Sequence, residues 1–99
     1  MDAMPNHYAY EVISVNTVIG FTPALLSPAG AFQVVEWALL TLETDQIRYT
    51  IDGTTPSSTV GHLMSAGDVL TLVGAVAIRQ FQACKVTNTA SLKATYGWR

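Results

Sequence analysis

Residues Phe32 to Glu43 read FQVVEWALLTLE, and the period assigned to them decides the fold. Their apolar positions fit a helix that would take Ser27 as N-cap and Pro28 as its first residue. They also fit a strand, because Ala38, Leu40 and Leu42 alternate with Leu39, Thr41 and Glu43. The strand reading is preferred, since it makes the following ETDQ, Glu43 to Gln46, a hairpin turn into a second strand over Ile47 to Ile51. Glu36 then marks the start of the strand or a bend in it. On this reading Val34, Ala38 and Leu40 share one apolar face, and Val35, Trp37 and Leu39 share the other. A strand that is apolar on both faces needs cover on both, which points to assembly.

Alternation continues on either side. In YEVISVN, Tyr10 to Asn16, Tyr10 and Val12 oppose Glu11, Ile13 and Val15, with β-branched residues throughout. DVLTLVG, Asp68 to Gly74, sets Val69, Thr71 and Val73 against Leu70 and Leu72. ASLKATYGW, Ala90 to Trp98, is the clearest, with Leu92, Ala94, Tyr96 and Trp98 inward and Ser91, Lys93 and Thr95 outward. AIRQFQACKV, Ala77 to Val86, alternates poorly: Phe81 and Ala83 have one parity, Ile78, Cys84 and Val86 the other. A bulge near Ala83 would reconcile them. Between Thr17 and Ala31, two glycines and two prolines break any regular element, and Phe21, Leu25 and Leu26 are expected to tuck onto the core.

About six short strands with turn residues between them, and no βαβ rhythm, predict an all-β fold, a small antiparallel β-sandwich or jelly-roll-like barrel. Residues 10–99 are expected to form that single domain, behind an N-terminal arm, residues 1–9, that holds Pro5 and no periodicity. The arm is expected to order only against a neighbour.

The chain has 99 residues, of which 49% are hydrophobic and 12% charged, against roughly 25% charged in an ordinary soluble domain. So small a domain has more apolar side chain than one core needs, and no run approaches the roughly 18 to 20 apolar residues of a membrane span. A membrane is therefore not expected as a partner. A net charge of -2 with five scattered basic residues removes the electrostatic footprint of nucleic-acid binding. The opening MDAMPNHYAY has neither a basic n-region nor an apolar h-region, so the chain is expected to be made and used in a cytoplasm, or carried out by something larger.

No set of residues forms a catalytic constellation. His7, His62, Asp52, Asp68 and Cys84 are metal-ligand types without metal-ligand spacing, and Cys84 alone forms neither an internal disulfide nor a multi-cysteine zinc site. His62 near Ser57, Ser58 and Ser65 lacks a nucleophile elbow, and Cys84 in an apolar strand is expected to be an inert small hydrophobe. The pairs Glu36 with Glu43 and Asp45 with Asp52 are turn acids before they are glycosidase carboxylates. No cofactor and no catalytic residue is therefore expected, and a small-molecule ligand is not favoured.

The polar loop IDGTTPSSTVGH, Ile51 to His62, poses the remaining question. Asp52 can accept amide bonds in an Asx-turn, Gly53 can take a positive φ, and Pro56 stops the strand. The hydroxyls that follow, and His62, could face a sugar, but the turn-making reading is preferred.

RYTIDGTTP, Arg48 to Pro56, resembles the strand and turn at the start of the C-terminal Ig-like module of chitobiase-type glycosidases. A longer resemblance, over Ala38 to Trp98, runs through ALLTLET, IRYTIDGTTPSSTVGHLMSAGDVLTL, FQACKV and ASLKATYGW and is to small tailed-bacteriophage virion proteins. That resemblance implies a β-rich virion component assembled in the host cytoplasm: a head decoration or cement protein, or a neck, tail or fibre-associated one. The expected function is therefore non-enzymatic, the stabilisation of an assembled head by many bound copies. The expected partners are the chain itself, as a homo-oligomer with a trimer favoured, and the major capsid or another virion protein. Tyr8, Tyr10, Val35, Trp37 and Leu39 are the expected interface residues, and Asp52, Gly53, Pro56 and His62 the turn and loop residues. A small carbohydrate-binding β-sandwich is the alternative of a different class.

Overall fold

The computed structural model describes residues 6–26 and 35–98. Seven strands and one short helix follow in order: β1 (Asn6–Val15), β2 (Trp37–Thr44), β3 (Ile47–Thr50), β4 (His62–Met64), β5 (Val69–Val73), α1 (Ala75–Gln80), β6 (Gln82–Lys85) and β7 (Ala90–Trp98). All pairings are antiparallel, in a four-stranded sheet of order β1-β7-β2-β5 and a three-stranded sheet of order β4-β3-β6.

Ile19 adds to the second sheet. Its amide and carbonyl both bond to Ala83, at 2.9 and 2.8 Å, so the segment after β1 occupies the outer edge of β6. Counted as a strand in chain order, it makes the first sheet 1-8-3-6 and the second 5-4-7-2. The chain thus crosses between sheets at nearly every connection, the wrapping of a jelly roll. The all-β sandwich is as the alternation predicts.

The core lies between the sheets, where alternate residues meet: Ile13 and Val15 from β1, Ala38, Leu40 and Leu42 from β2, Leu92, Ala94 and Tyr96 from β7, and Ile47, Met64 and Ala83 from the second sheet. Phe21 stacks on Phe81 at 4.3 Å between ring centroids and meets Tyr96 edge-on at 5.1 Å, and Leu25 and Leu26 pack against the same cluster. The long connection therefore tucks onto the core as expected.

Three expectations need correction, and the helix alternative falls. The first strand starts at Asn6 rather than Tyr10, so residues 6–9 of the expected arm pair with β7; residues 1–5 lie outside the described residues. ETDQ is not a hairpin, because β2 and β3 belong to different sheets. Asp45 adopts φ 61°, and the turn carries the chain out of one sheet and into the other. The helix alternative for 32–43 fails over its described part, which is β2, while residues 32–34, Ser27 and Pro28 lie outside the described residues. The poor alternation of Ala77 to Val86 is no bulge: Ala75–Gln80 is helical, and the strand starts only at Gln82. β4 is a short edge strand inside what reads as a loop.

Candidate functional site

Among the described residues, most of the highly exposed apolar side chains lie on the outer face of the four-stranded sheet. Strand alternation sends the core residues one way and Tyr10, Val12, Leu39, Thr71, Val69 and Val73 the other. Tyr10 is 57% exposed, Val12 55%, Val69 63% and Val73 58%. Leu39, Thr41 and Thr95, on the two central strands, are half-buried. Among the described side chains the face carries one acid and one base, Glu43 and Lys93, which pair with each other at 3.6 Å. β-branched side chains on a sheet lose little rotamer freedom on contact, so such a face is suited to packing against another sheet.

Two expected interface residues do not belong to that surface. Val35 and Trp37 are each 2% exposed within the single chain, and so offer nothing to a partner. Trp37 pairs with Gly97 and Val73 in the register, so the outer face is already covered at that position. Tyr10 and Leu39 are on the open part. Tyr8 falls at the β1 bulge between His7 and Ala9, and its side chain lies outside the described residues. Val12, Val69, Thr71 and Val73 were not among the expected interface residues. Their parity is visible in YEVISVN and DVLTLVG, but only the sheet order, with β1 and β5 as the two edges of one sheet, puts them on one surface.

The second sheet is different, because the loop between β3 and β4 crosses its outer face. Arg48 reaches from β3 to the carbonyls of Ser58 and Gly61, at 3.4 and 3.3 Å, and the buried Thr50 hydroxyl donates to the Thr54 carbonyl. Pro56 and Cys84 are buried, and burial pushes the Cys84 thiol pKa up. Asp52 Oδ1 accepts the Thr54 amide at 3.0 Å in an Asx-turn, Gly53 adopts φ 90°, and the Ser57 hydroxyl accepts the amides of Thr59 and Val60. The amide bond to Thr54 is the first cause that holds the Asp52 carboxyl below its ordinary range, with His62 the last and smallest. His62 is exposed, its ring 5.4 Å from that of Tyr49. A hollow of about 360 Å³ opens beside Asp52, Thr54 and His62. Two of its lining side chains, Thr50 and Asp52, already bond to Thr54 within the loop.

A larger cavity, about 440 Å³, opens at the Phe21 and Phe81 stack and is lined also by Ile78, Arg79 and Gln82. Gln82 Oε1 is buried there without a hydrogen-bond partner. One guanidinium, one carboxamide and aromatic rings supply neither a nucleophile nor a general acid and base pair. Among the described residues, no three His, Cys, Asp or Glu side chains come together as a metal site, and no helix is long and apolar enough to cross a membrane. Compared with protein-family models, with curated proteins and with solved structures, the chain matches none.

Proposed function

We propose that this chain is a non-enzymatic virion component of a tailed bacteriophage, a decoration protein that binds and stabilises an assembled head. The observation that carries the proposal is the bare outer face of the four-stranded sheet, with Tyr10, Val12, Val69 and Val73 more than half exposed. A small fold that leaves four large apolar side chains on one flat surface works by assembly. Jelly rolls recur in viral shells and in lectins, and the loop chemistry separates the two uses. Asp52, Thr50, Ser57 and Arg48 all bond within the loop, which favours a scaffold over a sugar site. The resemblance of Ala38 to Trp98 to small phage virion proteins supplies the setting.

Cosedimentation tests it. Phage heads prepared without this chain should take it up saturably and withstand heating better afterwards, while free coat subunits bind it weakly. Equal affinity for heads and free subunits, or no uptake, overturns the proposal. A tryptophan fluorescence change on addition of oligosaccharides would favour the carbohydrate-binding alternative.

A further inference from the structure

The register fixes two rows across the bare face: Tyr10, Thr95, Leu39 and Thr71, and beside it Val12, Lys93, Thr41 and Val69. We infer that this face packs against the same face of a second copy of the chain, about a two-fold axis that runs along the strands. The inference rests on the reading of the chain as an assembly protein, and it names the first contact of that assembly.

An axis midway between β7 and β2 sets β1 of one copy over β5 of the other, and β7 over β2. Tyr10 then lies over Thr71, in the dip between the flanking Val69 and Val73. Val12 lies over Val69, and Thr95 over Leu39. Lys93 comes over Thr41, the neighbour of Glu43 two residues along the strand, so the two Lys93 and Glu43 pairs interleave and each cation finds acid on both copies. Val12 meets Val69, Tyr10 and Leu39 meet the methyl-bearing Thr71 and Thr95, and opposite charges meet at one end. An axis across the strands does worse: it stacks β1 on β1, crowds the two Tyr10 rings together, and leaves the β5 valines facing only each other.

Charge selects the occupant. Among the described side chains of the face the one acid and one base are already paired, so they offer no net charge for an oppositely charged partner to read, and two copies do not repel through them. Size sets the strength. Four strands ~4.8 Å apart, over three same-face steps of ~6.8 Å, give a footprint on the order of 400 Å² per copy in plan. Corrugation brings the two sides near the roughly 1,000 Å² at which specific interfaces begin. The dimer is therefore one that dilution through the micromolar range takes apart, and high local concentration on a head holds together.

Sedimentation equilibrium of the full chain from micromolar to millimolar concentration reads this directly. The mass is expected to rise from one subunit to two and stop there. Val69→Asp should hold it at one subunit with an unchanged far-ultraviolet circular dichroism spectrum, and Thr71→Lys is the second variant should the first fail to fold. Leu63→Asp, on an exposed position of the other sheet, should dimerise like the wild type. A short bis-maleimide cross-linker, which spans facing positions on sheets ~10 Å apart where a direct disulfide does not reach, should link Tyr10→Cys to Thr71→Cys in a mixture, whereas Tyr10→Cys alone stays unlinked; Cys84 is buried and does not compete. A single-subunit mass at millimolar concentration, a trimer, a dimer that survives both face variants, or linked Tyr10→Cys pairs overturns the inference. A monomer that still binds heads removes the dimer and leaves the functional reading. A dimer that ignores heads does the reverse.

Discussion

The two sheets of this sandwich treat their outer faces in opposite ways. Over the second sheet the chain folds its own loop, pinned by the Arg48 fork and the Thr50 hydroxyl, with Pro56 buried. Over the four-stranded sheet no such bonds reach out from the open rows among the described residues, and Tyr10, Val12, Val69 and Val73 remain exposed. In composition the loop is the more ligand-like of the two, rich in Ser, Thr, Asp and His, and the bare face is plain Val, Thr and Leu. The difference teaches that polar groups in a short loop are first the means by which the loop satisfies its own backbone. On the reading proposed above, the functional surface is the one whose demand for cover is unmet.

The sharpest way to break this contrast is to lift the loop. Gly61 holds φ 115°, and a Cβ there would sit 2.9 Å from the Tyr49 carbonyl oxygen, so Gly61→Ala meets both a strained backbone and a clash with β3. The expected cost is about 3 kcal/mol in urea unfolding. A cost near zero would mean that the loop does not rest on the sheet. Tyr96→Phe probes the other sheet in the same way. The Tyr96 hydroxyl donates to Glu11, which also accepts the Thr22 amide at 3.1 Å and the Thr22 hydroxyl at 2.6 Å, so one carboxylate ties the crossover segment to β1 and β7. Loss of that charge-assisted bond is expected to cost about 2 kcal/mol. Burial first, and then Glu11, push the Tyr96 pKa far above the ordinary tyrosine range. A folded pKa raised in this way gives stability that is complete below the unfolded value, near ~10, and falls as pH rises above it. The wild type should therefore lose its advantage over Tyr96→Phe in strong alkali.

How much of this was legible follows from what alternation encodes. β7 was read from residue to residue because Leu92, Ala94 and Tyr96 are buried between half-buried neighbours on the same strand. DVLTLVG likewise gave β5, its outward valines included. Alternation says which residues share a face of one strand. It does not say which sheet the strand joins, so ETDQ looked like a hairpin when it is a passage between sheets. Six helical residues, AVAIRQ, are too few to show a helical period against neighbouring strands. Trp37 was placed on the correct strand, yet its burial depends on what closes over that end of the sheet, which no local pattern carries. The Asp52, Gly53 and Pro56 turn was legible because each residue acts on its own backbone.

On the open face, conservative polar replacements should barely register. Val12→Thr and Val69→Thr keep the β-branch on positions already in water, and unfolding should shift by less than about 0.5 kcal/mol at low protein concentration. The same variants at high concentration should lower the temperature midpoint relative to the wild type, because a two-copy contact adds stability only where it forms. A large effect at low concentration would mean that these valines are covered by the chain itself, and the contrast between the sheets would vanish.

The smallest effect belongs to Asp52, and its sign with pH decides what the residue is for. The Thr54 amide holds the folded carboxyl below its ordinary value, so Asp52 contributes stability above the unfolded pKa, near 3.8, that disappears as pH falls through the folded one. The thermal midpoints of wild type and Asp52→Ala should differ slightly at neutral pH and converge in acid. Asp52→Asn keeps an oxygen that can accept the Thr54 amide without titrating, so its midpoint should follow the wild type at neutral pH and keep its own lead over Asp52→Ala in acid. If all three coincide at every pH, the Asx-turn does not hold the loop, and Arg48 and Thr50 carry its attachment to the sheet by themselves.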